Sequence, residues 1–186
     1  MNIKNVSVVI SLLIGNIFGT SVENPILLET KTGTIKGTLQ YEITDNKVPV
    51  ALIIAGSGPT DRNGNGPMTN NNCYKMIANA LFEKGIASVR YDKRGIKKSK
   101  NAGLSQEKLR FNHYIEDAEN WIDLLNKDER FSEIIVIGHS EGSLIGMIAS
   151  QKKEVSKFIS IAGGGISTCE TIRKQLKQQP PEIYKQ

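Results

Sequence analysis

The sequence predicts an α/β domain with a mostly parallel sheet, helices on both faces and an antiparallel hairpin at the N-terminal edge. Three observations predict it. Short apolar runs alternate with helix-period segments four times in succession, the pattern that folds as right-handed strand-helix-strand crossovers. The run Val50-Ala51-Leu52-Ile53-Ile54-Ala55 is apolar without alternation, as a strand covered on both faces requires. Residues 26–31 and 34–43 flank a Thr32-Gly33 turn, and the second alternates through Ile35, Leu39 and Tyr41, the signature of a hairpin.

The 186 residues, 39% hydrophobic and 23% charged, fit one globular domain and exclude a disordered chain. Two cysteines exclude a disulfide scaffold and a four-thiolate zinc site. The net charge of +5 arises from bases scattered along the chain rather than gathered in one arm, so nucleic acid is not an expected partner.

Lys4 precedes an apolar segment at residues 6–19, followed by small Thr20 and Ser21. That order predicts a secretory signal peptide over residues 1–21. The segment falls short of the ~18 apolar residues a membrane span needs, so no stable membrane anchor is expected. The expected location is periplasmic or extracellular, with the domain at residues 22–186. Export permits a Cys73–Cys169 disulfide, and two free thiols fit equally well.

After the buried strand at 50–55 comes a polar loop over residues 56–72, then a helix with apolar Tyr74, Met76, Ile77, Ala80 and Leu81, stopped by Gly85. A strand is predicted at 86–91 and a loop at 92–105. Phe111, Tyr114, Ile115, Ala118, Trp121, Ile122 and Leu125 keep helical spacing over 111–126, leaving His113, Asp117, Asn120 and Asp123 for a polar face. A strand at 134–137, a helix at 140–150, a strand at 158–162 and a helix ending near Lys177 complete the chain. In such sheets ligands bind at the carboxyl ends of the strands, here the loops beginning at Gly56, Asp92, Gly138 and Gly163.

Gly138-His139-Ser140-Glu141-Gly142 lies between a predicted strand and a predicted helix, the context that makes G-x-S-x-G a nucleophile elbow. A serine held in a strained turn presents its hydroxyl above the sheet, and the flanking glycines admit neighbouring backbone. Attack on an ester or amide creates an oxyanion that needs fixed N–H donors. The backbone N–H of Glu141, at the helix N-terminus, is one candidate. The second is the backbone N–H of Ser57, between Gly56 and Gly58.

The chain resembles an α/β-hydrolase of the esterase and serine-aminopeptidase-like group. Three stretches carry the resemblance: Gly56-Ser57-Gly58-Pro59-Thr60-Asp61-Arg62-Asn63-Gly64-Asn65, Arg90-Tyr91-Asp92-Lys93-Arg94-Gly95 with Ser99, and the elbow. One departure is Lys97, where that group usually has a second glycine. The resemblance implies a serine hydrolase acting on a small-molecule ester or peptide, with Ser140 as nucleophile and no metal or organic cofactor.

Two other patterns are weaker. Asp61-Arg62-Asn63-Gly64-Asn65-Gly66 matches the first half of a calcium loop, but its twelfth position is Asn72 rather than Glu, so a turn-rich loop at the site mouth is expected. Lys93, Arg94, Lys97, Lys98 and Lys100 read as a solvated basic loop, with no interleaved aromatics for base stacking, and the resemblance implies a structural role for Asp92 with Arg94.

A serine nucleophile needs a general base, in this fold a histidine oriented by an acid. His139 adjoins Ser140, where neighbouring side chains diverge, and His113 is expected as a surface partner of Asp117. The resemblance implies an acid and then a histidine after the serine, yet the 46 residues after Ser140 hold no histidine. Expected, therefore, is an incomplete hydrolase domain with impaired activity, residues 178–186 resembling the start of a lid-like insertion. The alternative is a non-enzymatic binding protein.

Overall fold

The computed structural model describes residues 21–105 and 107–177. The predicted signal peptide, apart from Ser21, and the lid-like stretch at 178–186 lie outside them. Six strands, β1 (Ser21–Thr30), β2 (Gly33–Glu42), β3 (Val48–Ile54), β4 (Ala87–Tyr91), β5 (Phe131–His139) and β6 (Lys157–Ile161), form one sheet in the order β1-β2-β4-β3-β5-β6. Strands β4, β3, β5 and β6 run parallel, while β2 joins β4 antiparallel and carries β1 as an antiparallel hairpin. This is the predicted α/β architecture, with the hairpin at the predicted edge.

Alternation along β3 sorts its residues between two cores. Val50, Leu52 and Ile54 pack with Ile145 and Ala149 of α3 (Glu141–Lys152) and with Ile115, Ala118, Trp121, Ile122 and Leu125 of α2 (Phe111–Asn126). Ala51, Ile53 and Ala55 face Tyr74 and Ala78 of α1 (Cys73–Phe82) on the other side. Both faces of the central strand are thus dry, which is why it reads as an unbroken apolar run. Helix α4 spans Thr168–Lys177.

The expected helix at 111–126 has the observed bounds of α2, and α1 ends as expected before Gly85, whose φ is +71°. Two strands extend several residues beyond the expected bounds. β1 begins at Ser21 and runs through Pro25, tolerated because β1 is the outermost strand. β5 begins at Phe131 because Val48 and Val50 of β3 extend the pairing backwards to Phe131 and Ile134.

The predicted polar face of α2 needs correction at Asp117. It is only 1% exposed, and its carboxylate receives Arg94 Nε and Nη2 at 2.6 and 2.5 Å. The partner arrives from the loop after β4, so helical periodicity alone could not reveal it. His113 is no surface partner of Asp117 either: its Nδ1 accepts the Arg110 N–H at the start of α2. The solvated basic loop is corrected likewise. Lys97, Lys98 and Lys100 are exposed, but Lys93 and Arg94 are 4% and 8% exposed. Cys73 and Cys169 are both free thiols.

Candidate active site

Ser140 stands between β5 and α3 with φ 52° and ψ −117°, a backbone region that costs an L-residue about 1–3 kcal/mol. Close packing enforces the turn. A Cβ on Gly138 would lie 2.3 Å from the Gly142 carbonyl oxygen, and one on Gly142 would lie 2.3 Å from that of Ile54. One helical turn on, a Cβ at Gly146 would meet Val136 Cγ1 at 2.9 Å. The glycines therefore let α3 settle onto the sheet, as the motif predicts. The Ser140 N–H donates to the Ile161 carbonyl at 2.9 Å, and Ser143 Oγ donates to the Gly138 carbonyl at 2.6 Å, tying the elbow to β6 and to its own strand.

Ser57, Ser140 and Glu141 line one cleft of about 580 Å³ with Phe111, Leu144 and Ile172. The three residues singled out for nucleophile and oxyanion roles thus come together from loops far apart in sequence. Ala162 also lines the cleft, in a left-handed conformation with φ 50°. A cleft of about 700 Å³ beside α2 is lined by Arg94, His113 and acidic residues, and includes neither Ser140 nor Ser57.

The three sequence stretches interlock around this cleft. Asp92, 1% exposed at the end of β4, accepts the Arg62 N–H at 2.8 Å, the Arg62 guanidinium at 2.7 Å and the Lys98 N–H at 3.1 Å. That fastens the loop after β3 to the loop after β4. Asp61 Oδ1 accepts the N–H groups of Asn63 and Asn65 at 2.8 and 2.9 Å, so this carboxylate closes a turn.

Two residues bordering the site were not singled out from sequence. Lys93 Nζ donates to the Gly56 carbonyl at 2.5 Å and lies 3.4 Å from Glu141 Oε2. Burial pushes its ammonium below the usual lysine range, opposed by the Glu141 carboxylate. Tyr74 Oη accepts the Gly56 N–H at 3.0 Å and lies 2.9 Å from His139 Nδ1. Burial pushes the Tyr74 phenol up. Lys93 was hidden inside a run of bases and Tyr74 inside an apolar helical stripe. The available signal for Lys93 was its position just past the carboxyl end of β4, where sheets of this kind bind ligands.

The expectation that His139 does not serve Ser140 fits this geometry, since its Nδ1 is engaged by Tyr74 on the α1 side of the elbow. Among the described residues, neither histidine hydrogen-bonds the Ser140 hydroxyl.

The serine aminopeptidase S33 family matches residues 65–176. Esterase EstD of Thermotoga maritima is 31% identical over 160 residues, 83% of this chain and 37% of that protein. The chain thus spans little more than a third of the curated relative it matches. Among solved structures, the α/β-hydrolase GrgF from Penicillium superposes with a TM-score of 0.62 at 18% identity, over 84% of this chain and 52% of its own. A dienelactone hydrolase from Anabaena variabilis gives 0.60 at 18% identity, over 77% and 64%. At such identities the solved structures speak for the fold. With the family model matching more than half of the sequence, the chain belongs to the serine aminopeptidase S33 family of α/β-hydrolases.

Proposed function

We propose that this chain carries the nucleophile of an ester hydrolase, Ser140. The observation that carries the reading is the φ 52°, ψ −117° turn that sets Ser140 at the lip of the cleft it shares with Ser57. In the proposed reaction Ser140 Oγ attacks the ester carbonyl carbon and surrenders its proton, while the N–H groups of Glu141 and Ser57 hold the oxyanion. Collapse expels the alcohol, which takes up a proton, and leaves the acyl group on Ser140. Water then repeats the attack, releasing the acid and restoring the serine. An ester is favoured over a peptide by the relative named as an esterase; peptide and thioester substrates would use the same attack.

The second reading, a catalytically incomplete domain that retains binding, is favoured by the engagement of both histidines elsewhere, with Tyr74 and with the Arg110 N–H. With both of these imidazoles engaged away from Ser140, attack by Ser140 in this chain is slow, so the proposal includes impaired turnover. Fluorophosphonate labelling of the purified chain tests it. Labelling of wild type above the Ser140→Ala variant supports the nucleophile. Equal labelling of the two overturns it in favour of the binding reading.

A further inference from the structure

The Gly56-Ser57 peptide is gripped at its carbonyl, and the preceding peptide at its N–H, by two side chains that reach back to the residues on either side of Ser140. One arm runs from Glu141 Oε2 to Lys93 Nζ over 3.4 Å and on to the Gly56 carbonyl over 2.5 Å. The other runs from His139 Nδ1 to Tyr74 Oη over 2.9 Å and accepts the Gly56 N–H at 3.0 Å. Gly56 itself lies against the elbow: a Cβ there would come within 3.0 Å of His139 Nδ1 and 3.2 Å of Ser140 Cβ.

The carbonyl that Lys93 holds belongs to the same peptide unit as the Ser57 N–H. A trans peptide is planar, so fixing its oxygen fixes the direction of the N–H on the opposite side. A charge-assisted bond to that oxygen also draws electron density through the amide and makes the N–H a stronger donor. Lys93 is nearly fully buried, so water does not compete for this bond. We propose that Lys93 and Tyr74 are positioning residues, a two-armed clamp that sets and polarises the Ser57 N–H as an oxyanion donor at a fixed distance from Ser140. The inference rests on the reading of Ser140 as nucleophile.

Two measurements keep the inference separate from that reading. The first needs no reactivity. In a Lys93→Met variant the Ser57 amide nitrogen resonance moves upfield, and in a Tyr74→Phe variant hydrogen exchange at Gly56 accelerates, with Trp121 and the core of the sheet unchanged. The second is the fluorophosphonate rate constant, resolved from probe binding. Deleting an oxyanion donor costs about a hundred- to a thousandfold; loosening one predicts about a tenfold fall for Lys93→Met and about threefold for Tyr74→Phe, with probe affinity retained. Glu141→Gln, at a half-exposed side chain, covers the case of Lys93→Met failing to fold, with about a twofold fall expected from the loss of charge. Folded variants with wild-type rates, or an unmoved Ser57 resonance in Lys93→Met, overturn the clamp. Wild type labelled no faster than Ser140→Ala overturns the nucleophile, and the resonance and exchange measurements still decide the clamp.

Discussion

Replacing Gly142 with alanine separates spatial exclusion from helix propensity at the elbow. The new Cβ would stand 2.3 Å from the Ile54 carbonyl oxygen and 2.6 Å from that of Ala55, where contacts of 3.4 Å and beyond are ordinary. Roughly 1 Å of separation must therefore open between α3 and the end of β3, and rotamer changes cannot supply it because both obstacles are backbone. Ile54 is also paired with Gly138 of β5, so any shift propagates into the sheet. Overpacking of this kind costs about 3 kcal/mol, the upper end of its usual range. Gly146→Ala is the control. The nearest atoms its Cβ would meet belong to side chains, Val136 Cγ1 at 2.9 Å, Phe158 Cε2 at 3.2 Å and Ile54 Cδ1 at 3.3 Å, and alanine gains roughly 0.5–1 kcal/mol over glycine within a helix. Its net change should be within about 1 kcal/mol of zero. Denaturant titration followed by the fluorescence of Trp121, the sole tryptophan and fully buried, reads the difference. At about 2–4 °C per kcal/mol for a domain of this size, Gly142→Ala should lower Tm by about 6–12 °C. Equal stability of the two variants, or a Gly142→Ala protein as stable as wild type, would refute close backbone packing as the reason for the glycine.

Further predictions concern backbone strain and a buried charge. Exposed Lys97 adopts φ 41°, so Lys97→Gly should stabilise the fold by about 0.5–1 kcal/mol; a lower denaturation midpoint would contradict this. Ser140→Gly should be more stable than Ser140→Ala, since only glycine accepts φ 52°, ψ −117° without strain; calorimetry on the pair, with the reverse order, would remove strain from the account of the elbow. Burial pushes the Asp117 carboxyl up to about 6, against the lowering influence of Arg94. Because the folded state then holds this proton more tightly than the unfolded chain, its contribution to stability is complete below about pH 4 and is lost as pH rises through about 6. Denaturation midpoints at pH 4.5 and 7 should show this loss in wild type and not in Asp117→Asn; parallel profiles would disprove it.

Local pattern was a reliable guide where one face of an element meets one environment. Helix α2 was read from 111 to 126 because its apolar stripe repeats without interruption until Asn126. Strand β3 was recognisable because both of its faces are dry. The elbow was legible because its strand, turn and helix are contiguous in the sequence, although Gly142 also answers to the Ile54 and Ala55 carbonyls at the end of β3. Elsewhere the deciding contact comes from a distant part of the chain. Asp117 and His113 were assigned to solvent by helical phase, yet Arg94 comes from a distant loop to bury Asp117. Lys93 shares its letter with the exposed lysines that follow it, although the chain turns inward at the end of β4 and outward again by Lys97. The start of β1 was missed because Glu23-Asn24-Pro25 looks like a break, and only its place at the edge of the sheet makes a proline-bearing strand acceptable.

By itself the sequence determined the α/β class, the order of strands and helices, and the serine at the tip of the fifth strand. Each follows from periodicity or from turn chemistry within some fifteen neighbouring residues. Tertiary structure alone decided which buried polar groups meet: Arg94 with Asp117, Arg62 with Asp92, and Lys93 and Tyr74 with the Gly56 peptide beside Ser140. Those pairings depend on which loops the parallel crossovers bring to one end of the sheet. A charged residue in a dry loop carries the same letter as one in water, and only the partner that arrives from elsewhere in the chain distinguishes them.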